Sequence, residues 1–122
     1  MAEYKQYITQ IQENGKIMIS EDVITAIITH AITEVEGVVG ISAKAGAEII
    51  DMIGGKGRGK GIRVAIHEND EVTIDCNVTI GYGYSVVDVA KATQETVTNA
   101  VESMTGVKVN SINVNVCGIV RQ

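Results

Sequence analysis

The 122-residue chain contains no proline, no phenylalanine and no tryptophan, and its only aromatic residues are four tyrosines. Proteins that hold single-stranded nucleic acid stack its bases on aromatic side chains, and they need a basic surface for the phosphates. This chain instead carries a formal net charge of −5. The composition therefore argues against a nucleic-acid-binding function.

Long apolar runs are also absent. No stretch approaches the roughly 20 consecutive apolar residues that a helix needs to cross a bilayer. Residues 1–10 lack the basic segment followed by an apolar segment that marks a secretory signal. We therefore expect a cytoplasmic protein that does not itself span a membrane.

The chain has only two cysteines, Cys76 and Cys117. The pair is typical of buried free thiols in a reducing cytoplasm, and a bridge between them is the alternative. Neither a Cys-x-x-Cys nor a His-x-x-x-His spacing occurs, so the sequence predicts no zinc site.

The most regular stretch is residues 71–120, in which a strand, a long helix and a second strand follow one another. In the first strand an apolar row alternates with polar residues, and it consists of Val72, Ile74, Cys76, Val78 and Ile80. Ser85 is predicted to cap the helix and Gly106 to end it. The apolar face of the helix is predicted to contain Val86, Ala90, Val97, Ala100, Val101 and Met104. The last strand is expected to contain Val107, Val109, Ile112, Val114 and Val116.

The first half of the chain repeats this pattern. Ser20 is predicted to cap a helix that ends at Gly37, and a short strand follows over residues 38–43. Residues 45–53 have helical character, and residues 62–66 return to strand alternation before a turn at residues 68–70. The predicted order is β-α-β, a short α, then β-β-α-β. We expect an α+β fold in which two main helices pack on one face of a mixed sheet.

The N-terminal residues 1–14 are interpreted as an extension, and residues 15–122 as a single domain. Tyr4, Tyr7, Ile8 and Ile11 fit one face of a helix. Asn14-Gly15, however, favours a hairpin in which residues 7–13 form a strand. Rather than a helix, we favour an extended segment that leads into a strand over residues 16–19.

The glycine-rich segment Gly-Gly-Lys-Gly-Arg-Gly-Lys-Gly at residues 54–61 is the clearest local departure from average composition. It resembles a P-loop, but Gly61 occupies the position where serine or threonine would bind magnesium, and a strand follows instead of a helix. Its cations and backbone amides suit an anion or an acidic partner, and a solvated loop is the alternative. The candidate binding residues are Lys56, Arg58, Lys60 and Arg63.

No other motif indicates catalysis or a cofactor. Gly81-Tyr82-Gly83 lacks the third glycine of a dinucleotide-binding loop, so we interpret it as a tight turn. His30 is interpreted as a surface or boundary histidine. His67 ends a strand just before the acidic turn at residues 68–71 and has no nucleophile nearby. The sequence therefore predicts neither an enzyme nor a metal or cofactor site. A polar row on the strands is expected to face water or to form a docking or self-association surface, and it consists of Asp75, Asn77, Thr79, Asn113 and Asn115.

Several ordered blocks of residues resemble the alkaline-shock protein family of Gram-positive bacteria, whose members are also described as envelope-stress or general-stress proteins. The first block runs from Gly15-Lys16-Ile17 to Glu36-Gly37-Val38. The later blocks are Gly61 to Val64, Val72 to Asp75, Tyr82-Gly83, Met104 to Val107, and Ile112 to Val116. Together they span residues 15–120.

The resemblance implies a cytoplasmic α/β protein without established catalysis. It implies a role in cell-envelope homeostasis, self-association, and attachment to the membrane periphery through an anchored protein partner. Short members of the family are also linked to fatty-acid synthesis. A regulator of acetyl-CoA carboxylase, binding an acidic partner through the basic loop, is therefore the alternative function.

Overall fold

The computed structural model describes residues 7–42 and 61–121. Within these ranges the chain forms six strands and two helices. In chain order they are β1 (Tyr7–Gln12), β2 (Gly15–Ser20), α1 (Glu21–Thr33), β3 (Val38–Ile41), β4 (Ile62–Ile66), β5 (Val72–Gly81), α2 (Val86–Thr105) and β6 (Val109–Val120). The predicted short helix at residues 45–53 lies outside the described residues.

The central strand of the main sheet is β5. Its helix-facing row, as the alternation predicts, has no solvent exposure from Val72 through Ile80. One side of β5 pairs in parallel with β6, whereas the other side pairs antiparallel with β4 along its first half and with β3 near its end. The sheet is therefore mixed, and with both helices packed on one face the domain is α+β, as predicted.

The helix starts match the sequence signals. The hydroxyl oxygen of Ser20 accepts a hydrogen bond from the Val23 amide, and that of Ser85 accepts one from the Asp88 amide, each at 3.4 Å. These bonds satisfy amides that have no partner within the helix. The left-handed Gly106 (φ +74°) ends α2 as predicted.

The predicted end of α1 at Gly37 is wrong. The helix ends at Thr33. Gly37 has a φ of +101° and forms part of the turn into β3. An added Cβ there would lie 2.7 Å from Val89 Cγ2, so the backbone at this turn also approaches α2 closely. Glycine is needed for both the conformation and the contact.

The predicted core face of α2 is partly wrong. Val97 and Val101 are buried as expected, but Val86 is 38% exposed and Met104 is 69% exposed. Thr93 and Thr105 are buried instead. Each hydroxyl donates to the carbonyl four residues earlier, at 2.8 Å and 2.6 Å respectively. Because that bond satisfies the hydroxyl locally, threonine can occupy a core position that an apolar count assigns elsewhere.

The N-terminal strands adopt the hairpin alternative rather than a single extended segment. β1 and β2 pair antiparallel from Tyr7 opposite Ser20 to Gln12 opposite Gly15. The connecting residues are Glu13 and Asn14, and Gly15 has a φ of +136°. Ile8 is 2% exposed and belongs to the main core. The Gln10 side chain donates to the Thr105 carbonyl at 2.7 Å, which joins the hairpin to the end of α2.

In the two ranges that the structure covers, neither helix combines the length and the apolar content that a bilayer crossing requires.

Candidate functional site

Of the four cations proposed as a binding site, the structure places Arg63. It lies in β4 with an exposed side chain, directly opposite Asp75 of β5. Lys56, Arg58 and Lys60 lie outside the described residues. Arg63 is adjacent in sequence to the buried Ile62 and Val64, which face the core, so its own side chain projects from the opposite face of the sheet, which neither α1 nor α2 covers.

The predicted polar row occupies this same face, away from α1 and α2. The Asn113 side-chain amide donates to a carboxylate oxygen of Asp75 at 3.0 Å, and the Asn115 amide donates to the Asn77 amide oxygen at 3.0 Å. Both bonds join residues that are paired directly across β5 and β6. We name this set, together with Arg63, the polar face.

The polar face offers fixed hydrogen-bonding groups. Arg63, Asp75 and Asn113 lie in register across three strands, so the face carries a cation, a carboxylate and an amide in one row. Arg63 forms no ion pair with any residue that the structure describes. The arrangement can recognise polar or charged groups of another macromolecule, and it contains no nucleophile beside a base.

A second feature was not found by the sequence reasoning: the outer edge of β6. β6 is 12 residues long and pairs with β5 on one side, and no described strand pairs with its other side. From Val109 to Val120 the strand contains no charged residue. The sequence did contain a signal for this edge. Exposed edge strands are usually interrupted by charges or proline, and residues 109–120 contain neither.

The remaining candidate residues have ordinary environments. His30 lies on the surface of α1, with its Nε2 3.2 Å from a carboxylate oxygen of Glu34. His67 Nε2 lies 2.7 Å from the Thr73 hydroxyl oxygen. Residues 81–83 form the strand-to-helix turn, as interpreted. An open cleft of about 310 Å³ lies between the helices, lined by apolar residues that include Ile27, Ala100 and Met104.

Both cysteines are free thiols, as the sequence predicts, but only Cys76 is buried, so the predicted burial of Cys117 is wrong. Burial, and secondarily the negative charge of Asp75, raises the pKa of the Cys76 thiol to about 12. A thiol with such a pKa stays protonated at neutral pH and is a poor nucleophile. Cys76 is therefore a core residue. Cys117 lies in β6 and is partly exposed.

These features define a small α+β domain that has two helices on one face of its sheet, a polar opposite face and an open strand edge. The chain belongs to the alkaline-shock protein family, described as having a cell envelope-related function, whose model matches residues 9–121. This membership confirms the resemblance that the ordered sequence blocks indicated.

Two relatives illustrate the match. The uncharacterized protein YqhY of Bacillus subtilis is 31% identical over 105 residues, which cover 86% of this chain and 77% of the relative. The uncharacterized protein Spy1535 of Streptococcus pyogenes is 35% identical over 108 residues, which cover 88% and 81%. Among solved structures, a MamM CTD variant aligns with a TM-score of 0.50 and 16% identity over 80% of this chain and 96% of that chain. This likeness concerns the fold alone.

Proposed function

We propose that the protein is a non-enzymatic component of cell-envelope homeostasis, which acts in the cytoplasm by associating with itself and with protein partners, one of them anchored in the membrane. The family's cell envelope-related function supports the physiological part of this proposal. The polar face supports the mode of action, because it is a broad part of the sheet that neither helix covers.

The observation that carries the proposal is the pairing of side chains on the polar face. The amides of Asn113 and Asn115 are held by Asp75 and Asn77, each at 3.0 Å. Side chains that are already ordered lose little conformational freedom when a partner binds. A face of this kind suits recognition of another protein better than it suits turnover of a small substrate, which requires a concave site.

A deletion strain of the native host tests the physiological part. We expect the strain to survive an alkaline shift and a cell-wall inhibitor less well than its parent, and expression of the wild-type chain should restore survival. Survival equal to that of the parent under both stresses would refute the envelope role.

Complementation with a surface variant tests the mode of action. Ala65 lies on the polar face in β4, opposite Thr73. Ala65→Lys places a long cation there, whereas the control Asn99→Lys places one on the exposed surface of α2. Both variants should unfold at temperatures close to that of wild type. We expect Ala65→Lys to lose complementation and also to lose chemical crosslinks to proteins of the membrane fraction. The control Asn99→Lys should keep both the complementation and the crosslinks. Full complementation by Ala65→Lys would exclude the polar face as the docking surface.

The alternative proposal is a regulator that binds an acidic lipid-synthesis enzyme, such as acetyl-CoA carboxylase, through Lys56, Arg58, Lys60 and Arg63. The exposed side chain of Arg63, without an ion pair to any described residue, favours it. Exposed charge contacts are screened by salt over about 8–10 Å. Binding to the purified enzyme should therefore weaken steeply with salt and be lost when all four cations are changed to serine. Salt-insensitive binding, or unchanged binding by that variant, would remove this alternative.

A further inference from the structure

We propose that the open edge of β6 pairs antiparallel with β6 of a second copy, so that one continuous sheet runs through a symmetric dimer. The inference rests on the self-association in the proposed function and assigns its interface. It follows from the composition of β6, from the backbone groups at its edge, and from the match that the strand makes with itself.

The first observation is the composition of the edge. An open strand presents unpaired N–H and C=O groups, and proteins that must stay monomeric protect such strands with charges, proline or a covering segment. β6 is 12 residues long and has neither charge nor proline. The charge of this chain lies elsewhere, although charged residues make up 20% of it. This strand therefore lacks the charges and proline that usually protect an edge, and no strand among residues 7–42 and 61–121 pairs with its outer side.

The second observation shows which part of the edge is open. At the beginning of β6, side chains of α2 occupy two edge groups: Glu102 Oε2 accepts from the Val109 amide at 3.0 Å, and Gln94 donates to the Ile112 carbonyl at 3.0 Å. The register with β5 shifts before Ser111 and again after Val116. The regular stretch available for pairing therefore runs from Ile112 to Val116.

The direction of the backbone groups follows from the Gln94 bond. Because the Ile112 carbonyl accepts from α2, it points away from β5. Backbone groups of alternate residues in a regular strand point to the same side, so Val114 and Val116 also present their N–H and C=O at the open edge. Three residues thus point six backbone groups to the open edge, of which five are free and the Ile112 carbonyl is held by Gln94.

The third observation is that this stretch matches itself. A two-fold axis at Val114 sets that residue opposite its own copy, Ile112 opposite Val116 of the second copy, and Asn113 opposite Asn115 of the second copy. Apolar residues that pack against the core then meet apolar residues, and exposed amides meet amides. Such an interface, in which one patch pairs with the same patch, is the usual form of a dimer.

The register also extends a contact that already exists. Asp75 holds Asn113, and Asn77 holds Asn115, within one copy. With Asn113 beside Asn115 of the second copy, the row of polar side chains continues across the axis. Gln94 releases the Ile112 carbonyl, which then accepts from the Val116 amide of the second copy, so no buried acceptor loses its partner. A second copy therefore matches the apolar residues, the polar side chains and the backbone groups of the β6 edge in a single register.

Disulfide trapping tests the register. Residues that face each other at a non-hydrogen-bonded antiparallel position have Cα atoms about 4.5 Å apart, a separation that a disulfide can bridge. The Asn113 and Asn115 pair occupies such a position across the axis. We would prepare Asn113→Cys and Asn115→Cys separately, each in the full chain with Cys117→Ser, and oxidise them with diamide alone and as an equimolar mixture.

We expect the mixture to form a covalent dimer on a non-reducing gel and each variant alone to form little. Free association would be measured for wild type by sedimentation equilibrium over a concentration series. Dimers in sedimentation without cross-linking in the mixture would overturn the β6 interface while leaving self-association intact. Equal cross-linking by a single variant alone would overturn the register. A wild-type chain that stays monomeric would refute both the interface and self-association.

A charge variant gives an independent measurement that needs no oxidation. Asn113→Lys combined with Asn115→Lys places two pairs of like charges opposite each other across the axis, which is unfavourable for strand pairing. We expect the dimer dissociation constant to rise at least about tenfold, since each like-charge pair weakens the pairing. The control combines Asn99→Lys with Ser103→Lys on the exposed side of α2 and adds the same charge. Equal weakening by the control would contradict the assignment.

Discussion

The close approach of Gly37 to α2 can be measured by substituting alanine for two glycines that have nearly the same φ but differ in surroundings. Gly37 has a φ of +101° and Gly83 a φ of +105°, so alanine meets similar backbone strain at both. At Gly83 an added Cβ would have no atom within 4 Å. At Gly37 it would lie 2.7 Å from Val89 Cγ2 and 3.1 Å from Tyr84 Cδ1. The pair of variants therefore separates backbone strain from steric clash.

Alanine with positive φ costs about 1–2 kcal/mol of folding free energy, which is the expected effect of Gly83→Ala. Overpacking a filled site costs about 1–3 kcal/mol more, so Gly37→Ala should cost about 2–5 kcal/mol in total. Val89 is 6% exposed and lies in the core, so its methyl group cannot easily move away. Tyr84 is 43% exposed and has more freedom.

Equilibrium unfolding in urea, monitored by circular dichroism, would measure both costs. An unchanged slope of the unfolding free energy against urea concentration would show that the unfolded state is the same. The closely packed turn predicts that Gly37→Ala is the more destabilised variant by at least about 1 kcal/mol. Equal losses for the two variants, or a larger loss for Gly83→Ala, would refute the argument that α2 packs against this turn.

Three further predictions concern the core and the caps. Thr93→Val should change the free energy of unfolding by less than about 1 kcal/mol in either direction, because the lost hydroxyl bond is local and the added methyl is buried; a loss above about 3 kcal/mol in urea unfolding would contradict this interpretation. Cys76 should resist a thiol reagent in the folded protein at pH 8 while Cys117 reacts. Burial raises the pKa of the Cys76 thiol from 9.0 to about 12. The protonated thiol therefore contributes fully to the free energy of unfolding below pH 9, and this contribution is lost as the pH rises toward 12. Cys76→Val should not show that loss. Ser85→Ala removes an N-cap and should cost about 0.5–2 kcal/mol in the same assay.

Much of the local structure could be predicted because its causes are local. The alternation from Val72 to Ile80 has the period of a strand with one buried face, and the structure buries all five apolar members. Ser20, Ser85 and Gly106 mark helix ends through bonds and backbone conformations that involve only neighbouring residues. The polar face follows from the same alternation, since the residues between the buried ones must project from the other side of the sheet.

Other features depend on residues that are distant in sequence. Thr93 is buried because of the way α2 is rotated on the sheet, and a count of apolar residues could not detect that rotation. The choice between a hairpin and an isolated extended segment at the N-terminus was decided by Ile8, which reaches the core, and by Gln10, which bonds to the end of α2. Such contacts have no signature within a short window of sequence.

The sequence by itself determined most of the helices and strands, the caps at Ser20, Ser85 and Gly106, the two faces of β5 and the membership of an envelope-related family, because period, capping chemistry and ordered family blocks are all written along the chain. Only the tertiary structure decided that β4 and β3 share one side of β5 while β6 lies on the other, and hence that β6 has an open edge. The physical reason is that strand pairing joins residues far apart in the chain: Asp75 and Asn113 are separated by 38 positions and meet only in the folded sheet.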